Sequence, residues 1–199
     1  MIMCTYKRIC ITNRLLVSTD GAPFDALLSQ LKHVFEDESR MHPDCIILRE
    51  KDLSQEEYQA LAGSVIALCK QYDVRCILHT FVDAAKLLGH NYIHVPFTKF
   101  LEMSEEEKSC FDEIGVSTHT VSEAQIAEKK GAAYVTTSPI FETTCKPGVK
   151  AKGLDFLREV SYSVQIPVYA LGGIHEENIE LCVLNGAAGV CMMSEYMRS

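Results

Sequence analysis

Eight short apolar runs recur along the chain: RICIT (8–12), CIIL (45–48), VRCIL (74–78), YIHV (92–95), EIGVS (113–117), AAYVTT (132–137), IPVYAL (166–171) and AGVCMM (188–193). They are rich in Val, Ile and Tyr and too short for helices, which marks them as strands. Few of them alternate cleanly between apolar and polar residues. That is the pattern of strands covered on both faces, as in a parallel sheet beneath helices. Between them lie segments of helical period with start and stop signals. LSQEEYQALAGSVIALCKQY opens with Ser54 and Glu57 in capping-box spacing, and THTVSEAQIAEKKG opens likewise with Thr120 and Glu123 and stops at Gly131. HEENIELCVLNG closes on Asn185-Gly186, a helix C-cap signal, and residues 155–163 supply a further helix ahead of Pro167. This alternation predicts a compact α/β TIM barrel, (β/α)8, with an open doubly wound sheet as the competing arrangement. Only a handful of residues follow the last strand, so the eighth helix is expected to be short or missing.

Composition narrows the function classes. With 199 residues, 47% of them apolar, residues 1–199 can bury one full core, and no linker-like tract divides them. A net charge of −8 argues against a nucleic-acid partner, although a few local donors can still hold a small anion on an acidic protein. No apolar run approaches the length of a membrane span. The opening MIMCTYKRICIT puts its basic pair after the first apolar residues, the reverse of a signal peptide. The nine cysteines form no C-x-x-C pair, and Cys10, Cys45, Cys76, Cys182 and Cys191 sit inside apolar runs. They read as core thiols of a cytoplasmic protein rather than as a disulfide framework or metal site. No metal and no cofactor are expected.

In a barrel of this kind, functional groups gather at the C-terminal ends of the strands. Strand two ends in LREK, where Arg49 and Lys51 share a face with Ile47. Strand three ends at His79, strand four passes through His94, and strand five ends on Ser117-Thr118-His119. His79 and His94 are candidates for a direct role or for satisfied core histidines. Strand six runs into the loop TSPIFETTCKPGVKAKG, whose Lys146, with Arg49 and Lys51, would suit an anion at the rim. Strands seven and eight end in LGGI and MMSE. Gly172 and Gly173 allow close backbone approach, and a turn at Met193-Ser194 would aim free N–H groups inward, so these two loops are expected to bind phosphate.

Taken together, ITNRLL (11–16), LREKDLS (48–54), IGVSTHTVSEA (114–124), GAAYVTTSPIF (131–141), IPVYALGGI (166–174) and NGAAGVCMMS (185–194) resemble the thiamine phosphate synthase and TenI family of (β/α)8 barrels. The resemblance covers almost the whole chain. It implies that Gly172, Gly173, Met193 and Ser194 bind a thiazole phosphate. Synthases of the family join that phosphate to a hydroxymethylpyrimidine diphosphate. They carry Gln-x-Arg-x-Lys on strand two, Asn-Asp after strand three and Gly-Gln-x-Asp after strand four, both aspartates serving magnesium. Here Arg49 and Lys51 remain, but Ile47 replaces the glutamine, His79-Thr80 replaces Asn-Asp, and Pro96-Phe97-Thr98-Lys99 replaces the second acidic motif.

The run FETTCKPG instead looks like the TenI branch, whose members tautomerise a thiazole carboxylate phosphate by moving a proton. Pro139 stands where those proteins place a histidine. The favoured expectation is therefore a thiazole tautomerase with His79 or His94 as the displaced base. Thr143 and Lys146 would clamp the anion beneath a lid. A synthase, or a non-catalytic thiamine-pathway phosphate binder, stands as the alternative. The expected partner is a small phosphorylated thiazole, with a homodimer left open.

Overall fold

All eight expected strands form, each within two residues of its expected bounds: β1 (Arg8–Ile11), β2 (Cys45–Leu48), β3 (Arg75–His79), β4 (Tyr92–Pro96), β5 (Glu113–Thr118), β6 (Tyr134–Thr137), β7 (Val168–Leu171) and β8 (Gly189–Met192). They belong to a computed structural model that describes residues 7–17, 22–37, 42–143 and 148–198. Neighbouring strands pair parallel in chain order, and β8 returns to β1, with Ile9 opposite Cys191. The sheet is a closed barrel, not an open one.

The outer layer holds α1 (Pro23–Glu36), α2 (Gln55–Gln71), α3 (Val82–Leu87), α4 (Phe97–Glu102), α5 (Glu105–Ser109), α6 (Val121–Lys129), α7 (Gly153–Ser163), α8 (Ile179–Leu184) and α9 (Ser194–Met197). The sequence pattern points to α2, α6, α7 and α8. It leaves out α1 and the short α3, α4 and α5, whose five or six residues hold too few turns for a periodic signal. At α2 the expected capping box is present: Glu57 N donates to Ser54 Oγ and Ser54 N donates to Glu57 Oε2. At α6 only half of it forms. Thr120 Oγ1 accepts from Glu123 N, while the Glu123 carboxylate takes His119 N instead. The short eighth helix is α9, whose Tyr196 and Met197 are buried, with Gln30 Nε2 donating to Tyr196 O at 2.7 Å.

Period-two alternation divides each strand between two cores. Ile9, Ile11, Cys45, Ile47, Ile77, Tyr134, Tyr169 and Cys191 pack together inside the barrel, whereas Cys10, Ile46, Leu48, Cys76 and Leu78 join the core between barrel and helices. Five cysteines expected in the core (Cys10, Cys45, Cys76, Cys182 and Cys191) are free and buried. Continuing the inward row by one step on each strand reaches the barrel mouth, which is how the residues of the next section come to face one another. Among the described residues, no helix is long and apolar enough to cross a membrane.

Candidate functional site

The C-terminal strand ends enclose a cavity of about 920 Å³ with an apolar floor of Ile11, Ile47, Leu171 and Cys191. Each sequence candidate that falls on described residues lines it: Arg49 and Lys51, His79 and His94, Ser117 and Thr143, then Gly172, Gly173, Met193 and Ser194. Lys146, with Thr144, Cys145 and Pro147, lies outside the described residues.

On the β2 side, Arg49 is positioned through its backbone. Its N–H donates to Thr12 Oγ1 at 2.9 Å, and that hydroxyl donates to the buried Glu50 Oε1 at 2.7 Å. Arg14 closes the cluster, donating to Glu50 at 3.0 Å and to Asp52 at 2.8 Å. Both carboxylates next to the Arg49–Lys51 pair are thus engaged away from the cavity.

Along β3 to β6 the cavity wall is a buried polar relay. The rings of His79 and His94 stack at 5.7 Å between centroids, 23° apart in plane. His79 Nδ1 meets Thr80 Oγ1 at 2.6 Å. His94 Nδ1 lies 3.1 Å from Tyr134 Oη, and its Nε2 lies 2.8 Å from Ser117 Oγ. Thr136 Oγ1 follows at 3.5 Å from the same Ser117 oxygen. Burial, reinforced by the charge of Lys51, pushes the His94 pKa down to about 3. Burial also holds His79 well below its ordinary value, with His94, Lys51 and Arg49 adding to the effect. Both imidazoles are therefore neutral hydrogen-bonding groups near pH 7. Thr80 holds its place at φ +69°, a backbone region that β-branched residues rarely adopt.

Opposite lies the glycine end. Gly172 and Gly173 both have positive φ, at +100° and +63°. Sequence reasoning assigns these glycines to the close approach of a ligand, but the structure supplies a different reason. A Cβ on Gly172 would stand 2.8 Å from Pro139 Cα, and one on Gly173 would stand 2.3 Å from Glu142 O. The loop after β6 comes that close because it is tied to β7, with Ile140 N donating to Leu171 O and Phe141 N to Gly172 O, both at 3.0 Å. The start of α7 is tied to it in turn, Lys152 N donating to Pro139 O and Gly153 N to Ile140 O. Glycine is required here for loop packing, and the backbone past it remains at the cavity edge. At the rim, His175 Nδ1 meets Glu195 Oε1 at 2.8 Å across the gap between the loop after β7 and α9.

Sequence reasoning missed Tyr134, Thr136, Asn13, His175 and Glu195, all but Tyr134 lining the cavity. Tyr134 and Thr136 were recoverable: they alternate inward on the same strand by period two. No signal in the sequence separated His175 or Glu195 from ordinary polar surface residues.

The sequence profile of the family described as thiamine monophosphate synthase matches residues 15–196. The chain belongs to this family. A chain of Aquifex aeolicus carrying a thiamine-phosphate synthase name is 36% identical over 185 residues, spanning 92% of this chain and 97% of its own length. A thiamine-phosphate synthase of Halalkalibacterium halodurans is 36% identical over 157 residues, covering 77% of this chain and 74% of the relative. Among solved structures, a thiamine phosphate pyrophosphorylase of Pyrococcus furiosus superposes with TM-score 0.78 at 25% identity, over 97% of this chain and 88% of that one. These relatives carry the name of a transferase, and that overturns the favoured expectation of a tautomerase, an isomerase. The TenI-like run FETTCKPG misled: its first residue, Phe141, is held by its N–H on Gly172 O, a packing contact that does not mark reaction type.

The magnesium that the family's synthases use has no matching donor set at the β3–β4 end. Thr80 and Lys99 stand at the acidic positions, the Thr80 hydroxyl is engaged by His79, and Lys99 on α4 is not part of the cavity wall. The carboxylates that do line the cavity, Glu142, Glu176 and Glu195, follow β6, β7 and β8 on the other side. Among the described residues, no group of three His, Cys, Asp or Glu side chains could hold a metal ion.

Proposed function

We propose that this protein acts in thiamine biosynthesis as a thiamine-phosphate synthase, joining hydroxymethylpyrimidine diphosphate to a thiazole phosphate. The carrying observation is one cavity with two dissimilar anion-favouring ends: Arg49 and Lys51 at β2, and the backbone around Gly173 and Ser194 at β7–β8. Two phosphorylated substrates need two such ends with their reacting atoms between. In the reaction the thiazole ring nitrogen forms a bond to the pyrimidine methylene carbon. The carbon–oxygen bond to the diphosphate breaks, and pyrophosphate leaves with the electron pair. The product is a thiazolium, and no proton has to move.

Each wall then has a task. The glycine end holds the thiazole phosphate through backbone donors, which suits an acidic protein. The apolar floor of Ile47 and Cys191 accepts the flat rings. Ser117, held by His94 and Thr136, presents a hydroxyl to the ring between the two anions. Arg49 and Lys51 stabilise charge as it builds on the leaving diphosphate. Incubating the protein with both substrates, with and without magnesium, tests the reading. Thiamine phosphate and pyrophosphate are expected to appear one for one. Binding of both substrates without product in either buffer would overturn it and leave a non-catalytic phosphate binder.

A further inference from the structure

We infer that the β2–β3 end of the cavity binds diphosphate through protein groups alone, Arg49 and Lys51 supplying the positive charge and the Thr80-oriented His79 a neutral N–H, with no divalent metal in the subsite. The inference takes the diphosphate from the synthase reading, but the subsite itself rests on the arrangement of side chains.

Three observations converge on it. First, the carboxylates a metal would need are committed elsewhere. Glu50 accepts from Thr12, from Arg14 N and from Arg14 Nη1, and Asp52 accepts from both Arg14 terminal nitrogens. Second, what remains at this end is the wrong company for a dication. Arg49 and Lys51 are cationic, and both ring nitrogens of His94 are occupied by Tyr134 and Ser117. A hard divalent ion prefers several oxygen ligands of negative charge, which this wall lacks. Third, the chain turns at Thr80 with φ +69° and Phe81 N donating to His79 O, and at this turn the Thr80 hydroxyl meets His79 Nδ1 at 2.6 Å. That bond occupies Nδ1 of a ring that lines the cavity, so its other nitrogen, Nε2, is the one offered to a ligand.

The charges act together. Burial above all keeps the stacked histidines unprotonated, with Lys51 adding to it at both rings and Arg49 at His79. A diphosphate arriving there meets two permanent cations, and a neutral imidazole donor that needs no proton from solvent. The positive charge a metal would supply is already covalently part of the loop after β2.

Inorganic pyrophosphate is the probe, titrated calorimetrically in EDTA and then in excess magnesium. The affinity is expected to be no tighter with magnesium than without it. Lys51→Ala should weaken binding by about tenfold or more, the scale of one lost charge-assisted contact. Thr80→Asp, with folding checked by circular dichroism, should bind pyrophosphate well only when magnesium is added. Pyrophosphate binding to the unaltered protein that needs magnesium would overturn the inference, as would Lys51→Ala binding undiminished. The synthase reading fails separately. Metal-free pyrophosphate binding without product formation defeats that reading and spares the subsite, while turnover abolished by EDTA does the reverse.

Discussion

The phenol ring of Tyr134 occupies the space a side chain at Gly115 would need. A Cβ there would lie 2.1 Å from Tyr134 Cζ, 2.4 Å from its oxygen and 2.5 Å from His94 Nδ1. The tyrosine starts on β6 and crosses the β5 backbone to reach a histidine on β4, and only a glycine beneath it leaves the passage open.

Gly115→Ala should therefore be costly although it adds a single methyl inside a strand. The ring has to move, the His94–Tyr134 hydrogen bond is lost, and the closed barrel has little slack. A loss of about 3 kcal/mol is expected, combining overpacking with one broken buried hydrogen bond. Urea denaturation measures it. A variant within 0.5 kcal/mol or so of the parent, smaller than the ordinary cost of overpacking, would show that the ring relaxes freely.

Thr80 offers a test with opposite signs. Asn tolerates its left-handed backbone far better than a β-branched residue and keeps a polar group near His79, so Thr80→Asn should match or exceed the parent in stability. Thr80→Val keeps the shape and the strain but loses the hydrogen bond, and should cost about 1 kcal/mol or more. Equal melting temperatures for the two variants would remove the link between strain and the His79 contact.

The buried histidines make stability depend on pH in a defined direction. The folded His94 resists protonation until about pH 3. In the unfolded chain it titrates near its ordinary value, about 6.5. Between those values the unfolded state binds the extra proton, so stability falls as pH falls. His94 alone should remove about 2 kcal/mol between pH 7 and pH 5. His79 acts in the same direction. His94→Gln, which does not titrate, should flatten the curve over that interval. An unchanged slope in that variant would mean His94 is not the group responsible.

Gly173→Ala tests what the glycine end is for. The added carbon would press on Glu142 O and Phe141 Cβ at a positive φ, so the loop after β6 must shift. Amide exchange at Ile140 and Phe141, whose N–H groups bond to β7, should speed up by about tenfold or more, as their local opening becomes easier. Affinity for thiazole phosphate should fall in parallel. Unchanged exchange would mean the loop accommodates the methyl without losing its ties.

Much of this was legible in the sequence for a simple reason. A buried parallel strand announces itself as a short β-branched run, and period two then says which residue reaches the mouth. Arg49, His79, His94 and Ser117 follow from counting along LREK, ILHT, IHV and GVST. What stayed hidden involved contacts between strands far apart in the chain. The crossing of Tyr134 over Gly115 spans 19 residues, and the tie of Ile140 to Leu171 is invisible to any local window. For the same reason Gly172-Gly173 was legible as glycine but not as the floor under a loop. The reaction type was misread from FETTCKPG because a loop's resemblance carries no information about what it packs on.

Alternation along these strands also separates two kinds of inheritance. The lower inward row (Ile9, Cys45, Ile77 and Tyr169) keeps the barrel closed and is out of a ligand's reach. The row above it decides what the cavity accepts. A replacement such as glutamine by isoleucine at 47, or asparagine by His79, alters the second row while the first continues to hold the sheet together. In this architecture, changes of ligand chemistry can accumulate one rim position at a time, each paying little attention to the stability of the whole.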